Sequence, residues 1–116
     1  MHELALSHQI CRLARDRTPP GQRLVKVVVE CGPMSGVVPE ALEHCFPIAA
    51  ADVGLGDAAL ELVRLRASAS CPGCGRGVEV ESMWDCCPEC GYGPLTVRDG
   101  RDLRVVELEV EELSNV

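Results

Sequence analysis

Two short cysteine turns constrain this chain more than any other feature. C-P-G-C-G at 71–75 and C-P-E-C-G at 87–91 stand twelve residues apart. Each tight turn aims two thiolates at a common point, and the glycine accepts the unusual backbone angle that follows the second sulfur. Four soft ligands at tetrahedral geometry suit Zn²⁺, so Cys71, Cys74, Cys87 and Cys90 are read as one structural zinc site. With four protein ligands the ion keeps no open position for water or substrate. Two disulfides and a rubredoxin-like iron site are the other readings of the same residues. The segment MHELALSHQICRLAR lacks the basic-then-apolar layout of a signal peptide. The apolar runs are also too short for a membrane span. A cytoplasmic, reducing location is therefore expected, where cysteines at this spacing hold metal rather than pair. Iron sites of the rubredoxin type are packed with aromatic rings, and here only Trp84 and Tyr92 are at hand. Cys86 is out of register with the C-P-x-C-G turn and is left as a bystander.

Charge narrows the function classes. The 116 residues carry a net charge of −7, and between Cys71 and Cys90 Arg76 is the one basic residue against Glu79, Glu81, Asp85 and Glu89. A phosphate-binding finger needs the opposite balance, so a nucleic-acid role is excluded. A cation or a basic protein partner fits the field better. No phosphate loop, catalytic triad or paired carboxylates stand out, which argues against an enzyme. Aromatic residues make up only 3% of the chain, so the core is expected from Val, Leu, Ile and Ala. A metal staple would support a core that thin.

Periodicity supplies the frame. Leu6, Ile10, Leu13 and Ala14 predict a helix over 3–17, with Arg12, Arg15 and Arg17 toward its C-terminal end. Residues 22–31 alternate as a strand, with Val25, Val27 and Val29 on one face. A second helix is predicted from near Val38, with Pro39 in its first turn and Val38, Ala41, Leu42, Cys45, Ile48 and Ala49 as its buried stripe. Pro47 is expected to kink or restart it, and Gly54 and Gly56 to end it. Residues 58–67 and 102–112 read as two further strands, the last with Val106, Leu108 and Val110 facing in and its glutamates facing water. The strand–helix–strand order predicts a parallel pair. Cys11, Cys31 and Cys45 read as small buried apolar residues. His8 reads as a solvated surface residue, and His44 as a surface or partner-facing one.

A third constellation lies at the start. The amine of Met1, the amide and imidazole of His2 and the amide or carboxylate of Glu3 can close adjacent chelate rings on one metal. Such nitrogen-rich, square-planar ligation suits Ni²⁺ or Cu²⁺.

The M-H-E start, the V-x-V-x-x-G segment at Val27, Val29 and Gly32, the V-x-P-E-x-L stretch at 37–42 and C-x2-C-x12-C-x2-C before a final acidic strand together resemble the HypA/HybF family. These metallochaperones help insert nickel into nickel–iron hydrogenases and, in some organisms, urease. The resemblance spans essentially the whole chain. It implies nickel ligands at Met1, His2 and Glu3, and zinc ligands at Cys71, Cys74, Cys87 and Cys90. It also implies an α+β fold: two helices packed on a mixed three-stranded sheet in a nickel-binding unit (1–68 plus 97–116). A small four-cysteine zinc-binding unit (69–96) is inserted in it. Expected partners are a HypB-type GTPase and the hydrogenase large subunit, with a homodimer among the expectations; nucleic acid and membrane are not expected. Two readings of other classes remain: a zinc-stabilised adaptor that delivers no metal, and an iron electron carrier. Pro47, Cys31, Cys45 and Cys86 depart from the family's pattern.

Overall fold

The chain, described by a computed structural model over residues 2–82 and 84–113, begins with helix α1 (His2–Arg17) and strand β1 (Gln22–Cys31). Helix α2 (Pro39–Asp52) and strand β2 (Ala59–Arg64) follow. The short strands β3 (Ala67–Ser70), β4 (Gly77–Val80) and β5 (Thr96–Val97) come next, and β6 (Leu103–Glu112) is last. A first sheet has the order β2-β1-β6, with β2 parallel and β6 antiparallel to β1. Both helices pack on it, giving the expected α+β architecture. A second sheet, β4-β3-β5, is antiparallel throughout.

One core forms where Ile10, Cys11 and Ala14 of α1 and Leu42, Phe46, Ala49 and Ala50 of α2 meet Leu24, Val27 and Val29 of β1. Cys11, Cys31 and Cys45 are buried as expected. Burial alone pushes the Cys11 thiol up to about 11, which keeps it protonated and unreactive.

Several inward faces differ from the periodic reading, each for a local reason. The register of β1 against β6 shifts twice. Val25 is an extra residue between Leu24 and Lys26, so Leu24 rather than Val25 points into the core. Val106 is the extra residue on β6, so Val105 and not Val106 packs inward. On α1, Cys11 takes the inner place and Leu13 is exposed. On α2, Val38 and Ile48 are 53% and 48% exposed, and Phe46 and Ala50 are buried in their stead. The core thus uses the chain's one phenylalanine, whose burial contributes about 1.5–3 kcal/mol. The restart expected at Pro47 does not occur: α2 runs from Pro39 to Asp52 with Pro47 inside it, exposed on its surface.

The strand expected over 58–67 ends earlier, at Arg64. The Leu65 amide still donates to the Cys31 carbonyl, but beyond Cys31 lie Gly32 and Pro33, and proline offers no amide to extend the ladder. The chain turns there and starts the second sheet at Ala67. Gly32 and Met34 donate to the carbonyls of Asp102 and Gly100, tying this neck together. A Cβ on Gly32 would overlap the Gly100 carbonyl, so the two strands of the neck meet only through glycine.

Ser7 carries a hydroxyl that is fully buried and has no hydrogen-bond partner among the described residues. Such an unpaired group costs about 1–3 kcal/mol. Ser7→Ala is therefore expected to stabilise the fold by about 1 kcal/mol, raising Tm by about 4 °C in a thermal melt. A lower Tm would mean the hydroxyl has a role in the fold.

Candidate metal centres

The four cysteines expected at the metal site converge. Their sulfurs all lie within 4.8 Å of one another. Two matching knuckles bring them there. In the first, the Gly75 amide donates to the Cys71 carbonyl, and in the second Gly91 donates to Cys87, at 2.7 and 2.8 Å. Gly75 and Gly91 have φ of 76° and 75°, the left-handed angle that glycine takes without strain. The Cys74 amide points at the Cys71 sulfur, 3.4 Å away.

The sulfur spacing discriminates between chemistries. A disulfide needs sulfurs about 2.05 Å apart, yet Cys71 and Cys90 stand 3.5 Å apart and Cys74 and Cys87 3.8 Å. A tetrahedron with metal–sulfur bonds of about 2.3 Å has edges of about 3.8 Å. Both of these separations fit the edge of such a tetrahedron. The cluster's protons tell the same story. Burial opposes ionisation of Cys71, but the Cys74 amide and the Cys90 thiol bring it down to about 7. Cys90 receives help from the Tyr92 amide, yet the Cys71 sulfur and burial drive it up to about 12. Four thiolates packed this closely cannot all ionise unless a cation offsets their charge. Cys86 is exposed and outside the cluster.

The N-terminal donors are only partly within view, because Met1 lies outside the described residues. His2 opens α1, and its imidazole is 64% exposed. Its Nδ1 lies 3.6 Å from the Glu3 carboxylate. The first amides of a helix have no intrahelical acceptor, so those of His2 and Glu3 are not consumed by the helix. Sequence reasoning missed a tertiary contact here. The Glu3 carboxylate accepts the Val38 amide at 3.2 Å, at the N-terminus of α2. That hydrogen bond first, then the Glu3 amide, hold the carboxyl below its ordinary 4.5 against the burial penalty, with a lesser contribution from the nearby His2. The lowered value stabilises the folded state above pH 4.5, and this contribution is lost as acid protonates the group. The Val38 amide signal in NMR is expected to titrate with a midpoint below pH 4.5, and Glu3→Gln to remove that titration. A midpoint at or above 4.5 would contradict the contact.

His8 also departs from its reading as a solvated residue. Its ring is half-buried between the helices, with Nδ1 on the Leu4 carbonyl at 3.0 Å and Nε2 on the Asp52 carboxylate at 2.9 Å. Asp52 is 44 residues away, so no local pattern could have signalled the pair. His44 lies exposed on α2, as expected.

The family model described as "Hydrogenase/urease nickel incorporation, metallochaperone, hypA" matches residues 1–110. A hydrogenase maturation factor HypA of a Bradyrhizobium strain is 42% identical over 113 residues, covering 96% of this chain and all of that protein. A hydrogenase maturation factor HypA of Geobacter metallireducens is 37% identical over 111 residues, with the same coverage. Among solved structures, the nickel metallochaperone HypA of Helicobacter pylori superposes with a TM-score of 0.59 over 92% of this chain and 95% of that one, at 19% identity. A second HypA solution structure gives 0.62 over 94% of this chain.

Proposed function

Since the chain belongs to the HypA family of hydrogenase and urease nickel-incorporation metallochaperones, we propose that it binds Ni²⁺ at its N-terminus and delivers it during maturation of a nickel–iron hydrogenase, and in some settings urease. The cargo ligands are the Met1 amine, the His2 amide and imidazole, and Glu3. Cys71, Cys74, Cys87 and Cys90 hold one resident Zn²⁺. That ion supplies structural cross-linking of the insert, and its four-sulfur set leaves no site for cargo or water.

The contrast between the two donor sets carries this reading. Four sulfurs close around one point, two of them buried. The His2 imidazole, by contrast, lies in the open at the first turn of a helix. A site with few donors at a chain end releases its metal by ligand exchange, which a carrier requires and a cofactor site does not. The chain then acts as a carrier rather than an enzyme, with residues 1–68 and 97–116 as the nickel unit and 69–96 as the insert. A HypB-type GTPase supplies any nucleotide hydrolysis, and the hydrogenase large subunit receives the metal. The setting is the cytoplasm; among the described residues no helix is long and apolar enough to cross a membrane.

Metal analysis after loading with Ni²⁺ tests the proposal. One zinc and one nickel per chain are expected, with the nickel alone lost on altering the N-terminus. Zinc without nickel in the unaltered chain would sink the delivery role and leave an adaptor.

A further inference from the structure

We propose that the groove between the loop after β1 and the cysteine insert docks an extended, basic segment of a protein partner, which seats one bulky apolar side chain against Trp84. This deepens the delivery reading and rests on it. The groove measures about 610 Å³, the size of a typical recognition pocket, and its walls include Pro33, Met34, Trp84, Pro94 and Leu95. Trp84 is 82% exposed and takes no part in the core of the insert. Its segment is fixed without the ring, since the Trp84 amide donates to the Ser82 hydroxyl and the Glu81 amide to Asp85. The chain has one tryptophan, one tyrosine and one phenylalanine in all. An open tryptophan beside an apolar groove is the usual anchor of a protein interface.

Charge selects the occupant. From 71 to 97 the insert carries Glu79, Glu81, Asp85 and Glu89 against Arg76. Four thiolates around a divalent cation would add two further negative charges. Arg66 pairs with Glu79 and Glu81, and Arg76 with Glu89, but Asp85, the neighbour of Trp84 in the chain, has no cation partner among the described residues. A lysine or arginine next to the apolar anchor would supply one. The charged lining of the groove itself is Glu81, already paired with Arg66, and Arg101, which has no ionic partner among the described residues, so the occupant's cation is directed to the Trp84–Asp85 end and away from Arg101.

The location bears on delivery. Gly36 lines the groove and is two residues from Val38, whose amide holds Glu3. Two residues of chain span at most about 7 Å. A segment in the groove therefore touches the loop that anchors the cargo end.

Because Trp84 is the single tryptophan, its fluorescence reports on the groove directly. The zinc-loaded full chain is titrated with a short tryptophan-free peptide in which lysines flank a central phenylalanine. Controls replace the lysines by glutamates or the phenylalanine by serine. A saturable blue shift with the first peptide alone is expected, weakened about tenfold or more by Asp85→Asn. Equal shifts with the acidic peptide, or none with the basic one, would overturn the proposal. So would a shift on concentrating the protein by itself, which would put a second copy in the groove. In parallel, calorimetry compares wild type and Trp84→Ala for binding the purified GTPase and hydrogenase large subunit, with zinc and nickel content checked in both. Weaker binding by about tenfold at unchanged metal content supports the groove, and undiminished binding overturns it while leaving delivery intact. If wild type binds neither protein, the delivery reading falls and the peptide titration alone decides the groove.

Discussion

Stripping the metal from the four-cysteine site is expected to unfold the insert together with the flanking ends of its strands, residues 67–97, while the two-helix sheet stays folded. The insert has almost nothing else to hold it. Its buried residues are Ala67, Ala69, Cys71, Val80, Cys87 and Leu95, so two of six are themselves proposed ligands. Its three strands have four, four and two residues. A sheet that small is marginal in water without a core or a cross-link. Metal binding of about 10–16 kcal/mol for structural zinc exceeds anything those alanines can contribute. The first sheet has its own core, built from α1, α2 and β1 with no residue of the insert. Hydrogen exchange on the chelator-treated protein should show the amides of β3, β4 and β5 losing all protection, while those of β1 and β6 keep theirs. Cys74→Ser is the cleaner version, because Cys74 is exposed and its replacement leaves no cavity. The idea is falsified if the apo insert remains as protected as the metal-loaded one.

The parts of this molecule that were legible in the sequence are those fixed by local chemistry. A C-x-x-C-G turn needs only its own five residues, so the knuckles around Cys71 and Cys87 could be read directly. The same holds for β1, whose β-branched run ends at Gly32, and for α2, where Pro39 starts the helix and Gly54 follows it. What escaped was set by contacts far apart in the chain. The bulges at Val25 and Val106 arise from the pairing of β1 with β6, and neither strand announces its extra residue. Each bulge moves one valine out of the inward row and puts its neighbour in. Phe46 replaced Ile48 in the core because two helices and a sheet jointly decide which part of α2 is covered. Glu3–Val38 and His8–Asp52 join residues 35 and 44 positions apart, beyond the reach of any spacing rule.

Adding a single residue before Met1 is expected to abolish Ni²⁺ binding while leaving the zinc content at one per chain. The extension turns the terminal amine into an amide and displaces it from the ring that it closes with His2. The remaining donors are then the His2 amide, which has lost the amine that anchored the metal beside it, the imidazole, and a carboxylate that is already engaged by Val38. His2→Ala attacks the same site from the other side, and isothermal titration should show binding weaker by about a hundredfold or more. The imidazole ligates only as the neutral base, and any amide nitrogen that joins must shed its proton. Binding should therefore release protons and weaken as the solution is acidified. Titrations in buffers of different ionisation enthalpy would measure that release. The tertiary contact of Glu3 adds a second arm. If its carboxylate serves chiefly to hold the end of α1 against α2, Glu3→Gln should retain most of the nickel affinity, since the amide oxygen can still accept from Val38. If the carboxylate itself binds the ion, Glu3→Gln should lose affinity as His2→Ala does. Should wild type, extended chain and His2→Ala all bind Ni²⁺ equally, the cargo site lies elsewhere.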